Sequence, residues 1–342
     1  MTDGLQISAA FATSLGLTWG LVPSAIRLAS RTDFFDRPGG YKEHSRSTPY
    51  LGGLAVITGF LAASLIFSGA DESILAILAC VLVLLVVGTI DDRIGLGIVP
   101  RIVVEIGVAL AVWHFGTGWN LFELEFLNLL FTVAWVVGLI NAFNLMDNLD
   151  GATSTVAAAS ALGAGGLALV EGNSVLAVVG FAMAGACCGF LPHNLARPAK
   201  IFLGDGGSMP IGFTIAAVTM AIPFDSSGVV PFLLGSLLVA VPALDMGAVI
   251  VSRRRRGVSV FVGGRDHMTH RLFRHLNSER SVSLVLFASQ GSLSVLAIAL
   301  SQSASSALVI AISILALSLT TCALATLEPL VAGFPKSSRS DP

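Results

Sequence analysis

The stretch Asn141 to Gly151, N-A-F-N-L-M-D-N-L-D-G, sets amides and two carboxylates directly behind the apolar run Leu124 to Ile140. A carboxylate at the edge of a bilayer core costs roughly 2.5 kcal/mol or more unless it faces water, a cation or a partner, so charge this dense at an apolar border marks chemistry. Asp147 and Asp150, three residues apart, are expected on one helical face. Gly88-Thr89-Ile90-Asp91-Asp92-Arg93 ends an uncharged run beginning at Ile74. Its adjacent acids suit base work or Mg²⁺, which is usually held by one or two carboxylates together with phosphate oxygens and water. Ile201 to Ser208, I-F-L-G-D-G-G-S, places Asp205 between glycines at an expected helix start. Backbone amides there can approach a phosphate, and a simple helix cap is the plainer reading. His267-Met268-Thr269-His270-Arg271 follows the run Arg253 to Arg256. No Cys or third His completes a zinc set, whereas the planar fork of arginine suits phosphate. The four-arginine run itself reads as topology and attraction to anionic lipid. Lys42 and His44, between Asp36 and Gly53, are cations of the kind a lipid phosphate at a bilayer surface needs.

The elements that must position these groups are membrane helices. The 342 residues are 54% hydrophobic and only 12% charged, with mean hydropathy +0.85, far from the quarter or so of charged residues in soluble domains. The expected fold is all-α, a polytopic integral membrane domain over 1–342 with about 10–11 transmembrane helices. The eleven apolar runs lie near 5–27, 50–69, 74–90, 101–117, 124–142, 152–170, 174–193, 207–223, 229–251, 281–302 and 305–327. No Lys or Arg precedes Arg27, so the first run lacks the basic start of a cleavable signal and is counted as a helix. Cys80, Cys187, Cys188 and Cys322 all sit in apolar runs and read as packing residues. A net charge of −2 with mixed signs offers no footprint for nucleic acid.

Lys and Arg collect in the connections after odd-numbered runs and are missing after even-numbered ones, which places the former in the cytoplasm. A basic cytoplasmic loop at 252–280 and a cytoplasmic tail at 328–342 follow from the same count. Asp91, Asp92, Asp147, Asp150, Asp205, His267 and His270 share that parity, so one cytoplasmic site can collect them. Glu105 and Asp245, the acids nearest to mid-span, are what a secondary transporter would use, and that reading also predicts repeated halves, which are not seen.

Taken in this order, from about Asp36 to Leu272, the motifs resemble the polyprenyl-phosphate N-acetylhexosamine-1-phosphate transferase family, of glycosyltransferase family 4 type. The resemblance implies a bacterial plasma-membrane enzyme with its active site on the cytoplasmic face. Such an enzyme passes a sugar-1-phosphate from a UDP-sugar to a polyprenyl phosphate and releases UMP, with Mg²⁺, or Mn²⁺, as cofactor. It also implies roles. Asp91 or Asp92 is the base, Asp205 with Asp92 holds the metal, and Asn141, Asn144, Asp147 and Asp150 form the nucleotide-sugar pattern. His267, His270 and Arg271 steady the leaving phosphate, while Lys42, His44 and Arg101 meet substrate; Asp245 follows Pro242 by three as a family aspartate does. Asn148 replaces a frequent Gly, Thr269 a further His, and Arg101 and Glu105 stand where Lys and Gln are common. The His-x-x-His-Arg-Leu arrangement resembles the branch that initiates teichoic-acid, O-antigen or arabinogalactan polymers with GlcNAc-1-phosphate. The phospho-MurNAc-pentapeptide transferases are the alternative, and a homodimer is a further expectation.

Overall fold

The computed structural model describes residues 2–36, 47–69, 71–224, 228–259, 264 and 266–326. The helices in order are α1 (Asp3–Thr32), α2 (Gly52–Phe67), α3 (Glu72–Ile94), α4 (Ile98–His114), α5 (Glu125–Met146), α6 (Ala152–Val170) and α7 (Ser174–Asn194). They continue as α8 (Asp205–Ala221), α9 (Val229–Leu238), α10 (Ala240–Arg255), α11 (Met268–Leu276), α12 (Glu279–Ser301) and α13 (Ser306–Thr326). A two-residue antiparallel ladder pairs β1 (Phe35–Asp36) with β2 (Thr48–Pro49).

Each apolar run of the sequence contains a helix, but among the described residues only seven helices are long and apolar enough to cross a membrane. An eighth crossing follows if α9 and α10 are one span, because these two meet at 86°. Helices α2, α4 and α8, at 16, 17 and 17 residues, are apolar and only just shorter than that length. The break at Val239 has a local cause in Pro242, which lacks an N–H and crowds the carbonyl one turn back. Fully buried Gln290 of α12 repairs it, accepting from the Val241 amide at 3.1 Å and donating to the Leu237 carbonyl at 3.0 Å. Freed backbone groups inside a membrane domain need such a partner.

Helix ends are set by local chemistry. Asp71 caps α3 through the amides of Ser73 and Ile74, and Gly95, with φ +67°, closes its far end. Small residues let helices approach closely. A Cβ on Gly185 or Gly189 of α7 would lie 2.3 Å from the Phe11 or Leu15 carbonyl of α1. The apolar core runs through α1 to α10 and α12, and α13 remains largely exposed. Cys80 and Cys187 are buried as expected of packing residues, but Cys322 is exposed on α13. Within 252–280 the chain is helical to Arg255 and again over α11, so less of it is loop than the sequence suggested. The 328–342 tail lies outside the described residues.

Candidate active site

The carboxyl ends of α3 and α5 and the amino ends of α4 and α8 meet at one end of the bundle. Arg101, one turn into α4, is at the centre. Its Nη1 lies 2.9 Å from Asp91 Oδ2 and 3.3 Å from Asp205 Oδ2, and its Nη2 donates to Asn144 Oδ1 at 2.8 Å. Asn144 in turn donates to Asp205 Oδ1 at 2.6 Å and to Ser208 Oγ at 3.0 Å. Asp147 accepts from the Gly204 amide at 3.2 Å. Four separate stretches of sequence thus share one hydrogen-bonded network.

Asp92 takes a part that its position in sequence does not reveal. Its two oxygens accept from the amides of Asp205 and Gly206 at 2.9 and 3.0 Å, so a residue of α3 caps α8. The amides of Gly207 and Ser208 bond to the Gly204 carbonyl. The first four amides of α8 are therefore satisfied inside the protein, and the expected phosphate cradle of backbone amides is not what this motif builds. The glycines serve close approach instead. Gly204 has φ +76°, and a Cβ there would lie 2.5 Å from Asp92 Oδ2; one on Gly88 would lie 2.4 Å from the Asp205 carbonyl. The preceding residues run beside the start of α2, with Gly52 and Gly53 donating to the carbonyls of Phe202 and Leu203 at 2.9 and 2.8 Å.

Asp147 and Asp150 do not share a helical face. Helix α5 ends at Met146 and both acids lie in the turn before α6, where Gly151 has φ +79°. Asp147 faces the network. Asp150 lines a separate surface cavity of about 310 Å³ with Leu195, Arg197, Asn277 and Glu279. Desolvation, and next the charge of Asp205, push the Asp147 carboxyl up to about 7. Two acids that disfavour each other's ionisation at one spot suit a cation between them. No three His, Cys, Asp or Glu side chains among the described residues are grouped as a metal cage. Mg²⁺ does not require one, since it keeps waters and substrate oxygens beside one or two carboxylates. Asp205 and Asp147, with the Asn144 amide beside them, fit that demand; Asp92, committed to the α8 amides, fits it less well.

Asn141 lies one turn before Asn144 and turns to α4, donating to Glu105 Oε2 at 2.6 Å and to the Val137 carbonyl at 2.9 Å. Glu105 is thus tied to the rear of the network rather than standing alone in mid-span. Asp245 is likewise not isolated: its Oδ2 lies 2.9 Å from His267 Nδ1 and its Oδ1 accepts from the Met268 amide at 2.7 Å. Arg253 was expected to belong to a lipid-facing run, yet it is buried, and its Nε and Nη2 grip Asp266 at 2.9 and 2.7 Å. Arg256 joins the same carboxylate at 2.6 Å. Arg271 on α11 is buried, and its Nε has no hydrogen-bond partner in the described structure. His270 is half-buried one residue earlier. Lys42 and His44 lie outside the described residues.

Tyr50 was not anticipated. Its ring meets that of Phe202 edge-on, 6.3 Å between centroids, and burial, and then the charges of Asp92, Asp205 and Asp147, raise its phenol well above the ordinary value. Only its place before Gly52-Gly53 hinted at this. Nothing in the sequence flagged the bond from Thr269 Oγ1 to Asn148 Oδ1, which carries α11 onto the turn that holds Asp147.

The glycosyl transferase family 4 model matches residues 74–222, a span that contains Asp91, Asp92, Arg101, Asn141, Asn144, Asp147, Asp150 and Asp205. The chain is 31% identical to the decaprenyl-phosphate N-acetylglucosaminephosphotransferase of Mycobacterium tuberculosis H37Rv, over 89% of this chain and 84% of that protein. It is 32% identical to the Mycobacterium leprae protein of the same name, over 76% of this chain and 75% of that one. It is 28% identical to the undecaprenyl-phosphate alpha-N-acetylglucosaminyl 1-phosphate transferase of Escherichia coli K12, over 80% and 79% respectively.

Proposed function

Because the chain belongs to glycosyl transferase family 4, among its polyprenyl-phosphate N-acetylglucosamine-1-phosphate transferases, we propose that it carries GlcNAc-1-phosphate from UDP-GlcNAc to a polyprenyl phosphate and releases UMP. The observation that carries this reading is the single network of Asp91, Arg101, Asn144, Asp147 and Asp205 at one end of a membrane bundle.

Phosphoryl transfer is mostly positioning and neutralisation of charge, and the residues divide that work. Asp205 and Asp147 would hold Mg²⁺, with Asn144 beside them, and the ion would supply charge neutralisation for the diphosphate. Asp92 keeps Asp205 in place by capping α8. Asp91, not engaged in that cap, takes the proton of the lipid phosphate. Arg101 spans Asp91, Asp205 and Asn144 and so lies where attacking and transferred phosphates meet. Arg271 offers a buried N–H with no acceptor among the described residues, and a desolvated guanidinium of this kind favours an anionic oxygen. It steadies the departing UMP together with His267 and His270.

The alternation of Lys and Arg along the chain supports a cytoplasmic site, and the bacterial relatives support the plasma membrane as its location. The product would begin a cell-envelope polysaccharide. The transporter reading loses its two acids, since Glu105 is bonded to Asn141 and Asp245 to His267 and Met268.

The test is UMP release by purified protein in detergent, given undecaprenyl phosphate, Mg²⁺ and either UDP-GlcNAc or UDP-MurNAc-pentapeptide. Release with UDP-GlcNAc that depends on lipid and metal is expected. Release with the pentapeptide donor alone would move the chain to the other branch, and silence with both from folded protein would sink the proposal.

A further inference from the structure

Asn148 and Thr269 are 121 residues apart in sequence and hydrogen-bonded to each other. Thr269 is fully buried and donates from Oγ1 to Asn148 Oδ1. The other end of the same amide is also used, since Asn148 Nδ2 donates to the Leu145 carbonyl at 2.6 Å. That carbonyl belongs to the last turn of α5, where backbone acceptors run out of helical donors. Asn148 therefore closes α5 with one end and reaches α11 with the other. Glycine at 148 can do neither.

The two segments so joined carry different parts of the site. The turn at 147–151 bears Asp147, which faces Gly204 and the charge of Asp205. Helix α11 bears His270 and Arg271 and follows directly on His267, which is fixed from behind by Asp245 of α10. The Thr269–Asn148 bond ties α11 to that turn. We propose that Asn148 and Thr269 form a latch that sets the phosphate-binding helix against the acid network, and that they are positioning residues for the transfer. The proposal rests on the transferase reading. The latch has no charge and needs no substrate contact, and its consequence is alignment: misplacing catalytic groups by about 1 Å can cost on the order of 100-fold in rate.

The test is a double-mutant cycle with Thr269→Val, which keeps the shape and removes the hydroxyl, and Asn148→Ala. Turnover of UDP-GlcNAc and backbone hydrogen exchange of residues 147–151 and 267–276 are read in detergent. Each single variant is expected to lower kcat about 10-fold with KM for donor within about 2-fold. The double variant should be no worse than Asn148→Ala alone, because the bond is already lost. Thr269→Ser should keep turnover within about 2-fold of the parent. Thr269→Val should also speed exchange in the distant 147–151 turn, a readout that does not need turnover. Additive losses, full activity in Thr269→Val, or unchanged exchange in that turn would overturn the latch. An inactive parent chain would instead overturn the transferase reading, while the exchange comparison would still decide whether the latch couples the two segments.

Discussion

Adjacent aspartates in one motif perform different work here, and conservative amides separate the roles. Asp205→Asn keeps an acceptor for Asn144 but removes the charge that faces Arg101 and Asp147. The variant is expected to remain folded in membranes and to lose more than about 100-fold in Mg²⁺-dependent turnover, given what even supporting partners of a metal site contribute. Asp92→Asn leaves one good acceptor for two amides and turns its NH₂ toward a backbone N–H. Its loss should therefore include stability: a melting temperature several degrees lower, from charge-assisted bonds worth about 1.5–3 kcal/mol each, with turnover down roughly 10- to 100-fold. If Asp205→Asn turns over normally, the metal assignment fails; if Asp92→Asn melts like the parent, the cap does not matter. These roles were partly legible. Charge at an apolar border identified Asp91, Asp92, Asp147 and Asp205 as a group, because the cost of burying carboxylates is a one-dimensional signal. That Asp92 accepts from the amides of α8 was not legible, since it depends on a contact 113 residues away.

At the scale of elements, α10 is fastened to the start of α11 at two levels, by Asp245 through His267 and Met268 and by Arg253 through Asp266. Burial raises the Asp266 carboxyl, but the hydrogen bond and charge of Arg253, followed by Arg256, more than offset this and hold it well below the usual carboxylate range. A depressed folded value means that the brace contributes stability above the ordinary Asp pKa of about 3.9 and loses it only as pH falls below that. The difference in melting temperature between the parent and Asp266→Asn should be flat from about pH 5 to 8 and shrink in more acid solution. A difference that shrinks on going from pH 5 to 8 would refute the brace. Arg253 to Arg256 had looked like one topological block because a run of like charge carries no mark of which member turns inward. The apolar runs, in contrast, all became helices, since hydropathy is local. Their caps and breaks needed tertiary partners, as when Gln290 mends the α9–α10 bend. The turn after α5 failed for a related reason: periodicity placed Asp147 and Asp150 on one face, but Asn148 and Gly151 close the helix first.

For the whole molecule, the network gathers the ends of helices that run in opposite directions, and this fixes which connections lie far from it. Arg101 is one turn into α4, a helix of 17 residues ending at His114, so the far end of α4 is about 20 Å away at 1.5 Å per residue. Helix α5 returns from Glu125 to the turn that holds Asp147. The connection containing Glu123 is therefore at the opposite end of the bundle from the site, whereas Arg197 shares a cavity with Asp150. If the site faces the cytoplasm, as the placement of Lys and Arg implies, the two ends answer differently to a membrane-impermeant maleimide. Glu123→Cys should be labelled on intact bacterial cells and Arg197→Cys only after the membrane is opened, each measured over the background of the four native cysteines. Labelling of Arg197→Cys on intact cells would put the acids outside, away from any cytoplasmic nucleotide-sugar, and the proposed donor would then have to be abandoned even if the fold and the family stand.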